Sequence, residues 1–461
     1  MKENAKGSNQ AGLPGPSSVE DQDARHVLVP WKKQSANRGM EITKADGVYL
    51  WDRDDRQYLD FTSQFVFANF GHNEARVVDA IVDQAHKLME VASPFVTGPK
   101  AEAASLLSRV TPGDLNRVFF STGGAEANEA AIKMARDATG RPLICSRSPS
   151  YHGSTYGAMS VSDNVASRAF EPGVPGVLTA PVCNPYRCRH AQPGERCQDC
   201  GGHCAQELEE VLLQHGPERV AAVMLEPIVG SSGGAIVPGD GYLEAVREIC
   251  NKYGILLIAD EVMTGFGRTG RWFACDHWGV VPDLMTLAKG ITGGYIPMGA
   301  TVVREALAAH WNDRPLRHGH TYSGHTLGAA AVVASVKVYQ EDNLVARSAD
   351  LGEYLLERAS ELQERHPSIG DVRGKGLFVA AELVQDRRTK EPIGGVGNAS
   401  AKEQILADAW QAGLYLFSAV ASNVIMLAPP LTISKDQIDE AMTIVDSVLK
   451  SADARVNTST R

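Results

Sequence analysis

The chain has no long hydrophobic run, because its apolar stretches all stay shorter than about ten residues. A helix that crosses a bilayer needs about 20 mostly apolar residues, so no membrane-spanning segment is expected. The N-terminal stretch MKENAKGSNQAGLPGPSS also lacks the apolar segment of a secretory signal. We therefore expect a soluble, cytoplasmic protein.

Basic clusters are missing as well. The 45 lysines and arginines are outnumbered by 55 acidic residues, which gives a net charge of −10 and a pI of about 5.7. A protein that neutralises the phosphates of nucleic acid or of an anionic bilayer needs a concentrated basic patch. We expect neither nucleic acid nor membrane as a partner.

Two common nucleotide-binding motifs are absent. The chain has no GxxxxGK[ST] phosphate loop, and no GxGxxG follows a predicted strand. The first absence argues against a P-loop nucleotide hydrolase, and the second weakens a nicotinamide-dependent dehydrogenase as an interpretation.

What is present fits a large globular protein. The 461 residues are 43% hydrophobic and 22% charged, which is ordinary for a folded protein that buries a sizeable core. From Leu143 onward, β-rich runs alternate with helical periodicity. This alternation predicts an α/β fold with a mostly parallel central sheet flanked by helices.

The two ends of the chain differ from this pattern. The segment MEITKADGVYLWDRDDRQYLDF predicts a small antiparallel meander, and residues 331–452 mix helices with short strands. We expect these two parts to form a smaller α+β domain. The predicted divisions are a disordered tail at 1–24, the N-terminal part of the small domain at 25–70, a large domain at 71–330 with a Cys-rich insertion at 183–204, the C-terminal part of the small domain at 331–452, and a tail at 453–461.

Charged residues follow two neighbouring buried runs. The run ILLIADEV ends at Asp260, and the run DLMTLAKG ends at Lys289, which is followed by small residues. Ligands of parallel sheets bind beyond the carboxyl ends of the strands, so these two residues are candidates for one site. A structural ion pair is the alternative for a single carboxylate at such a place.

Two further strand ends carry candidate binding residues. FFSTGGAEANEA reads as a strand, a turn and a helix whose first N–H groups, around Gly123, Gly124 and Ala125, could hold a phosphate. Tyr151 and His152 follow the strand LICS, where a flat ring could stack. Taken singly, each has an ordinary explanation, a glycine-containing turn or a packed loop aromatic. Together, a phosphate cradle, stacking aromatics, a carboxylate and a lysine suit pyridoxal phosphate.

The order of these motifs resembles that of the class-III, or omega-amino acid, aminotransferases of the fold-type-I pyridoxal-phosphate enzymes. The motifs are GGAEAN, YHG, EPI, DEVMTGFGRTG, LAKG, HGHTYSGHTLGAAA and APPL. The resemblance covers roughly residues 25–450 and implies a homodimer with active sites at the subunit interface. It also implies a small-molecule amine donor and a keto-acid acceptor, for which pyruvate is the expectation.

The resemblance also implies roles for individual residues. Lys289 matches the Schiff-base lysine, and Asp260 matches the partner of the pyridine nitrogen. The matched cofactor-binding positions are Gly123, Gly124 and Ala125 at the phosphate, Tyr151 and Val262 on the ring faces, His152 and Glu226 nearby, and Thr321 from the neighbouring subunit. Arg268 in GFGRTG is interpreted as structural.

The substrate pocket implied by the resemblance is apolar and aromatic, lined by Trp31, Phe65, Val66, Phe95 and Ala419. Many family members carry a carboxylate-binding arginine near the position of Ala419, but LYLFSAVASNVIMLAPPL contains no arginine. Ser154 also stands where the 4-aminobutyrate branch has an arginine after YHG. An amine or a long omega-amino acid would suit this pocket, and taurine and beta-alanine stay open.

Five of the eight cysteines fall in CNPYRCRHAQPGERCQDCGGHC, which departs from most of the family. Cys188, Cys197, Cys200 and Cys204 have a spacing that suits a structural zinc ion. Free thiols or redox-variable pairs are the alternative. For the whole chain, the leading hypothesis is an omega-aminotransferase. The alternatives are a racemase, aminomutase or lyase on the same scaffold, or a metal-binding regulatory protein without activity.

Overall fold

The structure of the chain is a computed structural model that describes residues 18–31, 33–35, 40–192, 194–394, 400–418 and 423–459. Its strands are β1 Ile42–Asp46, β2 Tyr49–Asp52, β3 Gln57–Asp60, β4 Leu115–Ser121, β5 Leu143–Ser148, β6 Val177–Pro181, β7 Val220–Leu225, β8 Leu256–Asp260, β9 Leu284–Leu287, β10 Gly299–Arg304, β11 Ile369–Lys375, β12 Phe378–Asp386, β13 Glu391–Pro392, β14 Leu414–Tyr415, β15 Phe417–Ser418 and β16 Val424–Leu427. Its helices are α1 Val19–His26, α2 Ser63–Val66, α3 Ala75–Lys87, α4 Gly98–Val110, α5 Gly124–Thr139, α6 Tyr156–Ser160, α7 Val165–Arg168, α8 Cys200–His215, α9 Tyr242–Tyr253, α10 Glu305–Ala308, α11 Thr326–Glu341, α12 Leu344–Arg365, α13 Ser400–Gln411 and α14 Lys435–Ser459. Short 3₁₀ turns occupy Pro217–Arg219, Ala274–Trp278, Lys289–Ile291 and Ala309–Trp311.

The central sheet has seven strands in the order β4-β10-β9-β8-β7-β5-β6. Neighbours from β9 to β6 pair in parallel, whereas β10 runs antiparallel to both β4 and β9. The link between β9 and β10 is too short for the crossover helix that a parallel neighbour needs, so β10 returns in the opposite direction. The predicted mostly parallel α/β fold is confirmed.

Helices cover both faces of this sheet, which explains why its strands lack polar alternation. Every residue of β7, VAAVML, is buried. Ala222 and Met224 pack into a cluster with α5, and Val223 and Leu225 pack into a cluster with α8 and α9. Successive side chains of a strand point to opposite faces, so both faces of β7 need apolar residues.

The smaller α+β part joins the two ends of the chain, as predicted. β1, β2 and β3 form an antiparallel meander, and β14 from the C-terminal third pairs in parallel with β3. A second sheet has the order β11-β12-β16-β15, with β13 also pairing with β12. β11 and β12 form a hairpin, in which Gly376 turns the chain at a φ of +55°.

Helix α11 links the two parts through one continuous core. Its residues are buried on nearly every side, and it packs against α3 and α4. Its apolar side chains belong to the same cluster as those of β10, α12 and β12. Although α11 is the most apolar long helix, none of the helices in the described ranges is long and apolar enough to cross a bilayer.

Helices extend into both of the segments that were predicted to be tails. Residues 19–24 belong to α1, whose N-terminus is capped by the Ser18 hydroxyl accepting the Asp21 N–H at 3.2 Å. The Glu20 carboxylate pairs with Arg53 of the meander at 3.1 Å, which gives this polar helix a partner. At the other end, α14 continues to Ser459, so most of the predicted 453–461 tail is helical.

Candidate active site

The predicted site residues gather at the carboxyl ends of the central strands. Asp260 is the last residue of β8, and Lys289 follows β9 after one intervening residue. Tyr151 and His152 come just after β5, and Gly123 and Gly124 come just after β4. The topology of a parallel sheet thus brings residues from four separate motifs to one edge.

Asp260 is buried and fully engaged by donors. Its Oδ2 accepts hydrogen bonds from Asn128 Nδ2 at 2.8 Å and from His152 Nδ1 at 2.7 Å. Its Oδ1 accepts the backbone N–H of Val262 at 3.0 Å. Donors on both oxygens stabilise the ionised carboxylate, which therefore presents a fixed negative charge in a buried place.

Asn128 is a site residue that the sequence analysis missed. Its amide also donates to the carbonyl oxygen of His152 at 2.6 Å, so a single side chain ties α5 to both His152 and Asp260. The available signal was its place in GGAEAN, one helical turn after Gly124, on the helix that starts at the site. The direction in which the helix faces could not be read from that spacing.

His152 is held through its backbone and through both of its ring nitrogens, of which Nδ1 contacts Asp260. Its backbone N–H donates to Ser162 Oγ at 2.8 Å, and its Nε2 lies 3.4 Å from Ser146 Oγ. Its side chain is completely buried. Because a carboxylate can only accept, Nδ1 carries the proton toward Asp260. The imidazole therefore orients the carboxylate rather than facing a substrate.

Lys289 is half-buried in a left-handed backbone conformation, with a φ of +48°. Burial lowers the pKa of Lys289, while the carboxylates of Asp260 and Glu226 act in the opposite direction. A positive φ is strained for a residue with a side chain, and such strain concentrates at functional sites. A lysine with a lowered pKa is a better nucleophile and base at neutral pH.

Glu226, of the EPI motif, is a buried carboxyl behind this group. Its Oε1 accepts the Tyr151 N–H at 3.1 Å, and its Oε2 accepts the Gly230 N–H at 2.8 Å. Burial raises its pKa, with Asp260 adding to the rise and His152 opposing it. Glu226 therefore fixes the backbone of the YHG loop and is electrostatically coupled to Asp260.

The N-terminus of α5 has the geometry of an anion cradle. Gly123 is its N-cap with extended backbone, and a Cβ added there would meet nothing within 4 Å. A Cβ added to Gly124 would lie 2.8 Å from Val262 Cγ1, and one added to Gly153 would lie 2.5 Å from Ala125 Cβ. The start of α5 is therefore tightly packed at Gly124 and Gly153 but unobstructed at Gly123. The unpaired N–H groups of the first helical turn are available to an anion there.

Two of the predicted pocket aromatics contact other aromatic rings. The ring of Trp31 meets the ring of Tyr151 edge-on at 6.2 Å, and Phe65 meets Phe417 edge-on at 5.2 Å. Trp31 and Phe65 are 59% and 52% exposed, so both are available to a ligand. Val66 differs, because it is 1% exposed and belongs to a buried apolar cluster that includes Met263.

Phe95 and Thr321 are exposed and flank a separate groove of about 340 Å³ beside β4. Ser323 and Gly324 line one side of the groove, and the Ser323 hydroxyl donates to the carbonyl of Phe120 at 2.7 Å. The structure of this chain alone does not join Phe95 to the Trp31 wall. Ala419 lies outside the described residues.

Arg268 has a structural environment, as expected for the arginine of GFGRTG. Its buried guanidinium donates to the carbonyls of Leu377 and Pro429 and to Asn69 Oδ1, the last two at 2.5 and 2.7 Å. Burial lowers its pKa to about 10. These contacts fasten the large domain to the APPL segment and the β11–β12 hairpin.

The cysteines of the insertion form two overlapping groups rather than the single predicted set. Cys183, Cys200 and Cys204 lie together, and so do Cys188, Cys197 and Cys200. Cys183 was not among the predicted ligands. It joins the group because the chain after β6 folds back onto the first turn of α8.

The donor set fits pyridoxal phosphate. The buried charge of Asp260 suits a protonated ring nitrogen, the amine of Lys289 suits an aldehyde, and the open end of α5 suits a phosphate. A sequence model described as Aminotransferase class-III matches residues 31–449. The chain belongs to the class-III aminotransferases. It is therefore a pyridoxal-phosphate-dependent enzyme, as the resemblance implied.

Individual relatives of this aminotransferase cover almost its full length. The taurine–pyruvate aminotransferase of Rhodobacter capsulatus is 39% identical over 446 residues, which cover 92% of this chain and 94% of that protein. The putrescine–pyruvate aminotransferase of Pseudomonas aeruginosa is 37% identical over 450 residues, which cover 94% and 95%. The taurine:2-oxoglutarate aminotransferase of Bifidobacterium kashiwanohense, solved with pyridoxal phosphate and glutamate, superposes with a TM-score of 0.90 at 38% identity, covering 95% of this chain and 98% of that one. The predicted fold type is confirmed.

Proposed function

We propose that this aminotransferase moves the terminal amino group of a short aliphatic donor to pyruvate, and that taurine is the first donor to test. The proposal is supported by the two relatives named for pyruvate, at 39% and 37% identity, one named for taurine and one for a diamine. The observation that carries it is the half-exposed ring of Trp31 against Tyr151, whose neighbour in sequence, His152, bonds Asp260.

In this proposal Lys289 is both the residue that holds the cofactor and the base that moves the proton. Pyridoxal phosphate, when bound, supplies the electron sink that stabilises a carbanion next to the donor nitrogen. Lys289 Nζ accepts the proton from the donor carbon and would deliver it to the carbon that was the aldehyde of the cofactor, which completes a 1,3-proton shift. Its lowered pKa keeps part of the amine neutral, as a base requires.

The remaining residues hold the ring in place. We propose that Asp260 keeps the ring nitrogen protonated, and that Asn128 and His152 keep Asp260 charged and aimed. Tyr151 and Val262 would pack against the two ring faces. Gly123, Gly124 and Ala125 would hold the phosphate, and Glu226 would steady the Tyr151 backbone.

Donor choice would follow from the composition of the pocket wall. Trp31 and Phe65 supply apolar, aromatic surface, and the Tyr151 hydroxyl lies 3.1 Å from the Ser154 hydroxyl. Among the described residues of the segment that ends in APPL, there is no arginine that could bind a carboxylate through two parallel hydrogen bonds. Donors whose second group is neutral, cationic or a weakly hydrated sulfonate should therefore react better than those that need a bidentate carboxylate clamp.

We further propose that the active enzyme is a homodimer, with Thr321 reaching the partner's phosphate site and Phe95 joining the partner's pocket. Thr321 and Phe95 are both exposed beside the groove next to β4. Two large apolar side chains are exposed here, Val96 at 90%, which lines the groove, and Tyr322 at 55%, which precedes the lining residue Ser323. Such a concentration on one face is typical of a surface that a partner covers.

We also propose a cytoplasmic location for the enzyme. All eight cysteines are unpaired, including the five in the insertion. Thiols so close together stay reduced in a reducing compartment, whereas an oxidising one would favour disulfides.

A donor screen tests the proposal. Taurine, beta-alanine, putrescine, 6-aminohexanoate and 1-phenylethylamine would each be incubated with pyruvate, and alanine would be quantified. Alanine should form with taurine and with at least one donor that has no acidic group. Lys289→Ala should abolish it, while Lys252→Ala, a change at an exposed lysine in α9, should not.

The same screen can refute the proposal. Reaction with carboxylate donors alone would contradict the apolar pocket. Ammonia release in place of alanine would instead indicate a lyase, and inversion of alanine stereochemistry without transfer would indicate a racemase.

A further inference from the structure

We propose that the Cys-rich insertion, residues 183–204, binds a structural zinc ion centred on the Cys200 thiolate. The site lies where the chain after β6 meets the N-terminus of α8, and it takes no part in the transfer reaction. Its ligands come from the five cysteines of the insertion. Four of these thiolates would complete the tetrahedral coordination of one zinc ion.

The sulfur spacing fits a tetrahedral zinc site. Cys200 Sγ lies 3.4 Å from Cys183 Sγ and 3.7 Å from Cys204 Sγ. With Zn–S bonds of about 2.3 Å, the sulfurs of a tetrahedral site stand about 3.8 Å apart. All three thiols are buried, at 0%, 0% and 4% exposure, so the ion would be shielded from solvent.

Cys200 also belongs to a second group with Cys188 and Cys197, whose sulfurs all lie within 4.8 Å of one another. The fourth ligand is therefore available on the side of Cys200 that faces these two half-buried thiols. Cys197 and Cys200 form a Cys-x2-Cys pair, the spacing by which one turn supplies two ligands to one zinc ion.

Two of the cysteines lie beside groups that suit negative charge. The Gly239 N–H donates to Cys183 Sγ at 3.2 Å, and Cys200 lies in the first turn of α8, where the helix dipole favours negative charge. The backbone is tightly packed here, since a Cβ added to Gly201 would lie 1.9 Å from the Asp240 carbonyl oxygen. The ligand-bearing turn is thus held in place from behind.

The insertion connects the large domain to the small one, which gives the ion a structural task. Arg187 donates to Glu382 on β12 and, at 2.9 Å, to the Lys390 carbonyl. Arg196 pairs with Asp371 on β11. In return, the Lys390 ammonium donates to the carbonyls of Tyr186 and Glu195 at 2.7 and 2.6 Å. A zinc ion that holds this loop in one conformation would also hold these contacts between the insertion and the β11–β12 sheet in place.

Metal content of the purified holoenzyme tests the site. Elemental analysis should give about one zinc per chain, the value for a closed structural site. Cys200→Ser should lose nearly all of it, whereas Cys250→Ala, at a buried cysteine of α9 outside the insertion, should keep it. Cys188→Ser, at a half-buried position, serves as a second variant if Cys200→Ser fails to fold.

Cobalt exchange gives a readout that needs no variant. Enzyme produced with cobalt in place of zinc should show the intense visible d–d bands of tetrahedral cobalt thiolate, at wavelengths beyond the cofactor's absorption. Chelation of the native ion should lower the melting temperature of the wild type but not that of Cys200→Ser. Enzyme that holds no zinc after production and refolding in its presence would overturn the proposal, as would five freely titratable thiols in zinc-loaded protein.

Discussion

Nδ1 of His152 lies 2.7 Å from Oδ2 of Asp260, and the same oxygen accepts the amide of Asn128 at 2.8 Å. Three elements that are distant in sequence, the loop after β5, the end of β8 and helix α5, therefore converge on a single oxygen atom. The other oxygen accepts the Val262 N–H. The charge of Asp260 is held in one orientation by residues that need not touch a substrate.

Asn128→Ala should lower kcat by about 10- to 100-fold, because a hydrogen bond to a charged group contributes about 1.5–3 kcal/mol. Asn128→Asp should have a still lower kcat near neutral pH, because it places a second carboxylate next to Asp260. Its kcat should rise again as the pH falls and one of the two carboxylates is protonated. Asn251→Ala, on the exposed side of α9, is the control. Rates equal to wild type in Asn128→Ala would remove the residue from the site.

Gly123→Ala should weaken pyridoxal phosphate binding by about tenfold or more, equivalent to about 1.4 kcal/mol. The added methyl meets no protein atom within 4 Å, so it would occupy only the open space above the α5 N-terminus. Apoprotein stability should fall by no more than about 1 kcal/mol, the loss of a glycine N-cap. Cofactor titration of Gly123→Ala beside Gly98→Ala, another unobstructed glycine, measures the effect. An unchanged dissociation constant would place the phosphate elsewhere.

Asp260→Asn should lower the pKa of Lys289 in the apoenzyme. The ordinary lysine value is 10.5, and burial already reduces it, while the Asp260 carboxylate raises it. Removing that negative charge leaves the ammonium form less stable, so the pKa of Lys289 falls further. Labelling of Lys289 by an amine-reactive reagent, followed by mass spectrometry across pH, should shift to lower pH.

The surface change Glu244→Gln should leave that labelling profile unchanged. A profile of Asp260→Asn that is unchanged or shifted to higher pH would mean that Asp260 does not act on Lys289.

Arg268→Met should destabilise the protein by about 3 kcal/mol or more, because the carbonyls of Leu377 and Pro429 lose a buried donor. Arg268→Lys should recover only part of this loss, since a lysine cannot reproduce the fork of donors. Arg271→Lys, at the exposed arginine three positions on, is the matched control. Urea denaturation of the three variants gives the comparison, and equal midpoints would show that the guanidinium does not hold the domains together.

The sequence predicted those parts of the site that follow from strand ends. Asp260, Lys289 and His152 each come directly after a buried run, and parallel topology brings such positions together. Asn128 could not be predicted in the same way, because the orientation of α5 about its axis depends on tertiary packing. The antiparallel direction of β10 was equally hidden, since GATVV reads like its parallel neighbours.

Other differences arise from partners that lie far away in the chain. The helix α1 is polar and lacks buried residues, yet Glu20 pairs with Arg53 of the meander. Val66 was assigned to the pocket wall by its motif, but its backbone φ of +59° turns the side chain into the core beside Met263. Cys183 joins the thiol cluster through the fold of the chain between β6 and α8.

The most direct test of the central claim follows the transferred nitrogen itself. The best donor from the screen, labelled isotopically at its amino group, would be incubated with pyruvate and either wild type or Lys289→Ala. We predict labelled alanine from the wild type and none from the variant. Labelled alanine formed at wild-type rates by Lys289→Ala, or label released only as ammonia by the wild type, would contradict the account.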